Sequence, residues 1–510
     1  MRRLWGRSPL AFNVTMLLAA GIFWIAPHPP MTDLPQHAAM LVMLKGMLSG
    51  TFPWAGMFQL NPYTPFLLGT VLALPLSTVL PVAASFKLLL SLAYIAFVTM
   101  AMKLGRQLKS DPRLDWIFLI GCFGFSYRWG FVTFMVAAPL ALYFIVLAAR
   151  HAEAPTHSRA ARLAVVGILL LASHGLMFVF AWLVGFLMLG LSSAPFADRL
   201  RSAWGYAVLG LISLIVLMLH HLGSAGTESF VTSTIFPDLR LSRARDVLLF
   251  TVQPGDMYSD WPLVVVILLV GLLAPWLFGL RIAWRRPIQL APLIVVGVIL
   301  AVVPFEALNT FFLYQRFALF LPASYALIFE ADSGQPAGPT SWLPSGTVTA
   351  LLALVCWLAM GRTGLYAKRF GEETRDFDAV LAHLEPGRRA LSLIFDRESA
   401  AAKNDMVYLH YPSWYQAERG GLVEFSFAAF APQIVRYRPD QVPVIDTVLS
   451  HQPEDFRWST HHGERYDYFF VRSRTALGEN YFAGAACAPV LITRRGEWTV
   501  YERGICSAIR

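Results

Sequence analysis

Ten apolar runs follow one another along the chain, at 9–26, 64–80, 83–102, 116–148, 163–192, 204–220, 261–280, 288–304, 311–330 and 345–361. About 20 residues cross a hydrocarbon core, so most runs are one helix long and the two longest have room for two. With 56% apolar residues, 14% charged residues and a mean hydropathy of +0.54, the charges are too few to cover so much apolar surface in water. The expected fold class is a polytopic α-helical membrane protein: about 11–13 transmembrane helices over 1–361, then a soluble α/β domain over 362–510.

Forty-one Lys and Arg against 32 Asp and Glu give a net charge of +9. A nucleic-acid-binding protein gathers its cations on one soluble face. Here many lie in short loops between apolar runs, where anionic lipid headgroups and insertion bias account for them, so membrane lipids are expected partners and nucleic acid is not. The opening MRRLWGR precedes the first run, and no A-x-A-like cleavage site follows it, which predicts an uncleaved first helix with a cytoplasmic N-terminus. The two long runs are broken by polar residues, Ser126, Tyr127 and Arg128 in one and Ser173, His174 and Gly175 in the other. Reading each as a helical hairpin keeps the basic stretches 103–113, 150–162, 199–203 and 281–287 inside and the loops 27–61 and 221–260 outside. One long tilted helix in each place is the alternative. Full crossings at both 64–80 and 83–102 would leave Lys103 outside, so one of them is expected to be incomplete or a further half-span to be hidden. An odd number of crossings puts the C-terminal domain outside.

In that domain DFDAVLAHL is helix-like and ends at PGRR, while ALSLIF, MVYLHY, LVEFSFAAF, YDYFFVRS and the pair APVLITRRGEWTVYE read as strands, the last two joined by an Arg-Gly turn. Cys122 and Cys356 fall in apolar runs, whereas Cys487 and Cys506 can pair if their region faces an oxidising compartment. His461, His462 and Glu464 lack the spacing of a zinc site, and no glycine-rich phosphate loop is present.

The residues best placed for chemistry follow the first helix, in PHPPMTDLPQHAAMLVMLKGMLSG. Prolines on both sides of Thr32, Asp33 and Leu34 restrict the backbone that aims the Asp33 carboxylate. Asp33 can act as a general base or hold a divalent cation (Mg or Mn), with His37 as its orienter or a second ligand. The plainer alternative is a helix N-cap with an interfacial histidine. Arg316 lies inside FFLYQRFALFLPA, where an unpaired guanidinium costs at least about 2.5 kcal/mol, so it either binds a lipid phosphate or pairs with Glu306. Arg128 has the same phosphate reading, with snorkelling to the interface as its alternative. His174 either hydrogen-bonds a sugar or phosphate oxygen or rests at the interface. Asp256 and Asp260, four apart in FTVQPGDMYSDWP, offer second carboxylates or simply an acidic loop end.

Many spans, a first outer loop with an acidic residue in D-L-P-Q-H directly after helix one, juxtamembrane helical segments and a C-terminal soluble domain together resemble the GT-C superfamily of membrane glycosyltransferases. The resemblance implies transfer of a sugar from a polyprenyl-phosphate donor, of the undecaprenyl type, to an envelope glycan, lipid or protein acceptor at the outer face of a bacterial inner membrane. It makes Asp33, by position, the catalytic base. Arg316 and Arg128 would then hold the departing phosphate. YDYFFVR and the terminal hairpin are similar to the close of GT-C accessory domains, which implies acceptor recognition. Two features depart from the pattern: the first loop holds Asp33 without a D-x-D or E-x-D, and the WWDYG of oligosaccharyltransferases is absent. Both point away from metal-dependent protein glycosylation and leave any metal unknown. The same charged residues would serve a lipid-linked glycan flippase or transporter, although the matched broken helices common in transporters are not evident.

Overall fold

The computed structural model describes residues 10–223, 241–252, 260–307, 310–331, 343–430, 432–443, 452–478, 480–485 and 487–505. The N-terminal arginines, Asp256, Cys506 and much of the 221–260 loop lie outside these residues.

Helix α1 (Leu10–Ala20) tightens into a 3-10 turn up to Trp24, and Pro27, Pro29 and Pro30 prevent it from continuing. Helix α2 (Leu34–Ser49), strand β1 (Phe58–Leu60) and helix α3 (Leu67–Val79) complete the first loop. Then come α4 (Val82–Leu108), a 3-10 stretch over Pro112–Leu119, α5 (Phe125–Trp129), α6 (Val132–Glu153), α7 (His157–Ser173), α8 (Gly175–Gly190) and α9 (Phe196–Gly223). After α10 (Leu241–Phe250) and α11 (Trp261–Leu277) follow β2 (Arg281–Ile282), α12 (Ala291–Val302), β3 (Glu306–Ala307), β4 (Thr310–Phe311), α13 (Leu321–Leu327), β5 (Phe329–Glu330) and α14 (Ser345–Glu373). Among the described residues, four helical stretches are long and apolar enough to cross a membrane: Val82–Leu108, Val132–Glu153, Phe196–His220 and Ser345–Leu381.

Contacts sort the helix ends into two faces. On one, Lys87 meets Ala26, Thr32 meets Arg128, and Gly371 packs on Pro27. On the other, Gln289 meets Leu108, Asp111 meets Phe329, and Arg113 meets Ser345. The chain passes between these faces through 10–24, 82–108, 112–125, 132–153, 157–173, 175–190, 196–220, 261–277, 287–302, 315–329 and 345–373. Both long apolar runs therefore divide, although the first half of 116–148 is a 3-10 stretch, whose greater rise per residue lets few residues cover the distance. Helix α3 does not pass through. Its Gly69 packs on Thr133 and its Ser77 carbonyl accepts from Lys45 Nζ at 2.7 Å, both on the Asp33 face. This removes the charge conflict at Lys103.

Helix α6 packs between α4 and α8 at the centre of the bundle. Where α8 crosses α6, Gly185 lies so close that a Cβ would fall 2.9 Å from that of Ala148, a small-residue contact of the kind that lets membrane helices approach.

Helix α14 runs through Gly361 without a break, so the change of composition there is not a structural boundary. Beyond it, Thr363, Ala367 and Phe370 continue a buried stripe. The C-terminal domain is built from α15 (Arg375–Leu381), β6 (Arg389–Ile394), α16 (Ser413–Arg419), β7 (Leu422–Val423), β8 (Val435–Tyr437), β9 (Tyr468–Arg472), β10 (Val490–Arg495) and β11 (Trp498–Glu502). Its five-stranded sheet has the order β10-β11-β9-β6-β7, with β6 parallel to β7 and β9 and the other pairs antiparallel. MVYLHY is a series of turns rather than a strand. Val407, Tyr408, Leu409 and Tyr411 are all buried, which an alternating half-exposed strand would not allow. LVEFSFAAF keeps only β7, because the Phe425 carbonyl and Phe427 N–H bond to the Gln36 side chain instead of a neighbouring strand. Cys487 is disulfide-bonded, and Cys122 and Cys356 are buried free thiols. Strand β1 of the first loop pairs antiparallel with β8, Phe58 opposite Tyr437, so the C-terminal domain sits on the Asp33 face.

Candidate active site

The turn that carries Asp33 is fixed through its backbone. Thr32 N–H donates to the Arg128 carbonyl (3.2 Å) and Asp33 N–H to the Trp129 carbonyl (2.8 Å), laying the first loop against α5. The next residue, Gly130, closes α5 at φ +78°, and a Cβ there would stand 3.1 Å from both Asp33 N and Leu34 N. Glycine is needed on both counts.

Asp33 occupies the N-cap position of α2, but its side chain makes no capping hydrogen bond. The carboxylate instead stands 3.6 Å from His410 Nε2. His410 is buried and stacked on Phe425 at 5.1 Å, in the segment that reads as a strand in the sequence. This segment is tied to α5 as well, by an ion pair from Arg128 to Asp405 and a hydrogen bond from Asn404 Nδ2 to the Arg128 carbonyl (3.3 Å). Gln36 completes the attachment, donating to Ser413 Oγ (3.0 Å) and the Phe425 carbonyl (2.8 Å) and accepting from Phe427 N–H (3.0 Å).

His37 lies in the first turn of α2 with its ring edge-on to Phe427 at 5.8 Å. Among the described residues no hydrogen bond joins it to the Asp33 carboxylate, and His410 stands where an orienting imidazole was expected from His37. Arg316 is held by the Phe311 carbonyl (2.9 Å) and by the Phe131 ring, 3.8 Å below its guanidinium. Its Nε is buried without a hydrogen-bond partner. No ion pair joins Arg316 to Glu306 among the described residues. Glu306 is buried in β3, opposite Phe311 in β4. Arg128 is committed to Asp405. His174, between α7 and α8, is fully buried between Phe66 (4.7 Å) and Phe134 (5.3 Å), and neither ring nitrogen has a hydrogen-bond partner. Asp260 begins α11, where its charge acts on Arg362 of α14.

Electrostatics gather these groups. The Arg316 charge acts on Asp33, His37 and His174 alike. Burial pushes the Asp33 carboxyl up to about 8 even though Arg316 pulls it down. Burial, helped by Arg316, pushes the His37 imidazole down to about 4, so it is neutral at pH 7. A carboxylate with raised proton affinity, a neutral imidazole and a fixed guanidinium can together take a proton from a hydroxyl and hold an anionic leaving group. Among the described residues, no three His, Cys, Asp or Glu converge as metal ligands.

No protein-family model and no curated protein matches this sequence. Solved structures similar in fold include the following three. Arabinofuranosyltransferase AftD from Mycobacteria superposes with a TM-score of 0.53 at 13% identity, over 97% of this chain and 41% of that one, so this chain spans about two fifths of that protein's length. ArnT from Cupriavidus metallidurans bound to undecaprenyl phosphate gives a TM-score of 0.55 at 12% identity, over 96% of this chain and 97% of that one. ArnT in the apo state gives 0.52 at 13% identity, with the same coverage. At these identities the likeness establishes the fold alone: the chain shares with these structures a polytopic helical membrane body and a C-terminal mixed-sheet domain.

Proposed function

We propose that this GT-C-fold membrane protein transfers a sugar from a polyprenyl-phosphate donor to a glycan, lipid or protein acceptor at the outer face of a bacterial inner membrane. The observation that carries the reading is that Asp33 and Arg316 are both seated on the segment around α5 beneath the C-terminal domain: Asp33 N–H donates to the Trp129 carbonyl, and the Arg316 guanidinium lies 3.8 Å over the Phe131 ring. Similarity of fold to an ArnT captured with undecaprenyl phosphate supports the class of donor.

In this reaction the acceptor oxygen attacks the anomeric carbon as the bond from that carbon to the phosphate oxygen breaks. The hydroxyl proton passes to the Asp33 carboxylate. The bonding electrons leave with the phosphate, whose charge the Arg316 guanidinium receives through its fork of N–H donors. His410, with Nε2 3.6 Å from the carboxylate, is the residue placed to orient it. A single displacement inverts the anomeric centre, because attack comes opposite the leaving group.

The test is purified full-length protein with a radiolabelled polyprenyl-phosphate sugar and a panel of envelope acceptors. Asp33→Asn is expected to retain donor lipid while losing about 10²–10⁴-fold in transfer. Lipid movement without bond formation, unchanged by Asp33→Asn, would favour a flippase. NMR showing the donor's anomeric configuration in the product would refute the single displacement.

A further inference from the structure

A cavity of about 380 Å³ opens beside the Asp33 site, between the outer end of α1, the start of α4 and the underside of the C-terminal domain. The proposed transfer does not use it. The two places are neighbours across one short segment, on which His410 faces Asp33 and Trp414 packs against His28 with ring centroids 4.1 Å apart.

The cavity has two poles. At one, α4 begins after Pro81, and Ala83 and Ala84 of its first turn form part of the wall. The N–H groups of a first turn have no partner within their helix, and the helix dipole adds partial positive charge there. Lys87 lines the same wall. It is only 8% exposed, and its ammonium donates to the Ala26 carbonyl at 2.7 Å. At the other pole, Asp378 of α15 and Glu418 of α16 enclose His28, with His28 Nε2 at 2.6 Å from Glu418 Oε1 and Nδ1 at 3.7 Å from Asp378 Oδ1. Both carboxylate side chains keep more than a third of their surface accessible. A carboxylate has acceptor sites on both oxygens, so each can take a further donor.

The exposed apolar residues next in sequence to the lining set the mouth at the lipid boundary. Trp24 and Ile25, at the end of α1, and Val79, just before α4, are large apolar residues left exposed by the protein, as lipid-facing residues are. The volume falls in the range of small-ligand sites.

We propose that this cavity binds the headgroup of a zwitterionic phospholipid carrying a primary ammonium, that is, a phosphoethanolamine group. The phosphate lies against the first turn of α4 and Lys87, where its charge meets N–H donors and a cation. The ammonium lies between Asp378 and Glu418. Paired carboxylates favour a primary ammonium, which donates hydrogen bonds, over a quaternary ammonium, which has none to give and seeks aromatic faces. A headgroup seated there touches the loop after α1 together with α4, α15 and α16, and so joins the membrane bundle to the C-terminal domain.

The test uses full-length protein stripped of lipid in detergent and titrated separately with phosphatidylethanolamine, phosphatidylglycerol and phosphatidylcholine, with occupancy read by native mass spectrometry. Phosphatidylethanolamine is expected to bind about tenfold more tightly than the other two. Asp378→Asn and Glu418→Gln should each remove most of that preference while leaving phosphatidylglycerol binding unchanged, which also shows that the variants are folded. Equal binding of the three lipids, or full retention of the preference in both variants, would overturn the proposal. Soluble O-phosphoethanolamine competing as well as the lipid would overturn its membrane source. None of these readings depends on sugar transfer.

Discussion

If Asp33 is the base, its raised proton affinity must appear in the rate. A carboxyl with a pKa of about 8 is ionised in about one molecule in eleven at pH 7, in half at pH 8, and in about ten of eleven at pH 9. The reaction needs the ionised form, so kcat/KM, which reports the free enzyme, should climb about tenfold between pH 7 and pH 9 with a midpoint near 8. An ordinary aspartate would give a flat profile over this range. Arg316→Gln removes the charge that lowers the Asp33 value, so its midpoint should move to higher pH in addition to any loss of donor binding. The same displacement acts on stability with a defined sign. The folded chain holds a proton on Asp33 that the unfolded chain releases above about pH 4, so stability should fall as pH rises from about 4 to about 8, and Asp33→Asn should abolish that slope. The assay is the initial rate of labelled-sugar transfer at subsaturating donor, paired with thermal unfolding at matched pH. A flat wild-type profile from pH 6 to 9, or an Arg316→Gln midpoint shifted downward, would refute the electrostatic account.

Three further outcomes follow from the geometry. His410→Gln should lower kcat about 10–100-fold with little change in donor KM, since it releases the carboxylate without touching the lipid; a change confined to KM would contradict that role. Gly130→Ala should cost at least about 1–2 kcal/mol in chemical denaturation, because its positive φ is unfavourable for alanine and its Cβ would press on the Asp33 and Leu34 nitrogens. Asp405→Asn should cost less than about 1 kcal/mol, because the Asp405 side chain is 61% exposed and its pairing with Arg128 is solvent-screened.

The sequence made the membrane body legible because apolar run length and the placement of basic loops are strong signals, and the conflict at Lys103 identified the region where one run would fail to cross. It could not show which run, since α3 is as apolar as its neighbours and stays on the Asp33 face through contacts with α2 and α6 that the sequence does not display. Asp33 stood out from its proline-bounded turn. For an orienting imidazole the sequence points to His37, its neighbour in the chain; in the fold the His37 ring faces Phe427, and the imidazole 3.6 Å from the carboxylate is that of His410. One signal is present in NDMVYLHYP, a polar pair followed by aliphatic and aromatic residues without polar alternation and with a single histidine among them, which suits a buried irregular segment better than an edge strand. Of the two partners open to Arg316 in the sequence, a lipid phosphate or Glu306, the fold does not use Glu306: the Phe311 carbonyl and the Phe131 ring hold the guanidinium.

The pairing of β1 with β8, and of Gln36 with residues 389 and 391 positions further along the chain, has a consequence for biosynthesis. The loop bearing Asp33 leaves the ribosome among the first segments and acquires its final shape among the last, once every intervening helix has been inserted and most of the C-terminal domain translated. A chain that stops short of residue 437 would thus insert its helices yet leave its first loop unclosed, which makes completion of synthesis a precondition for a finished site.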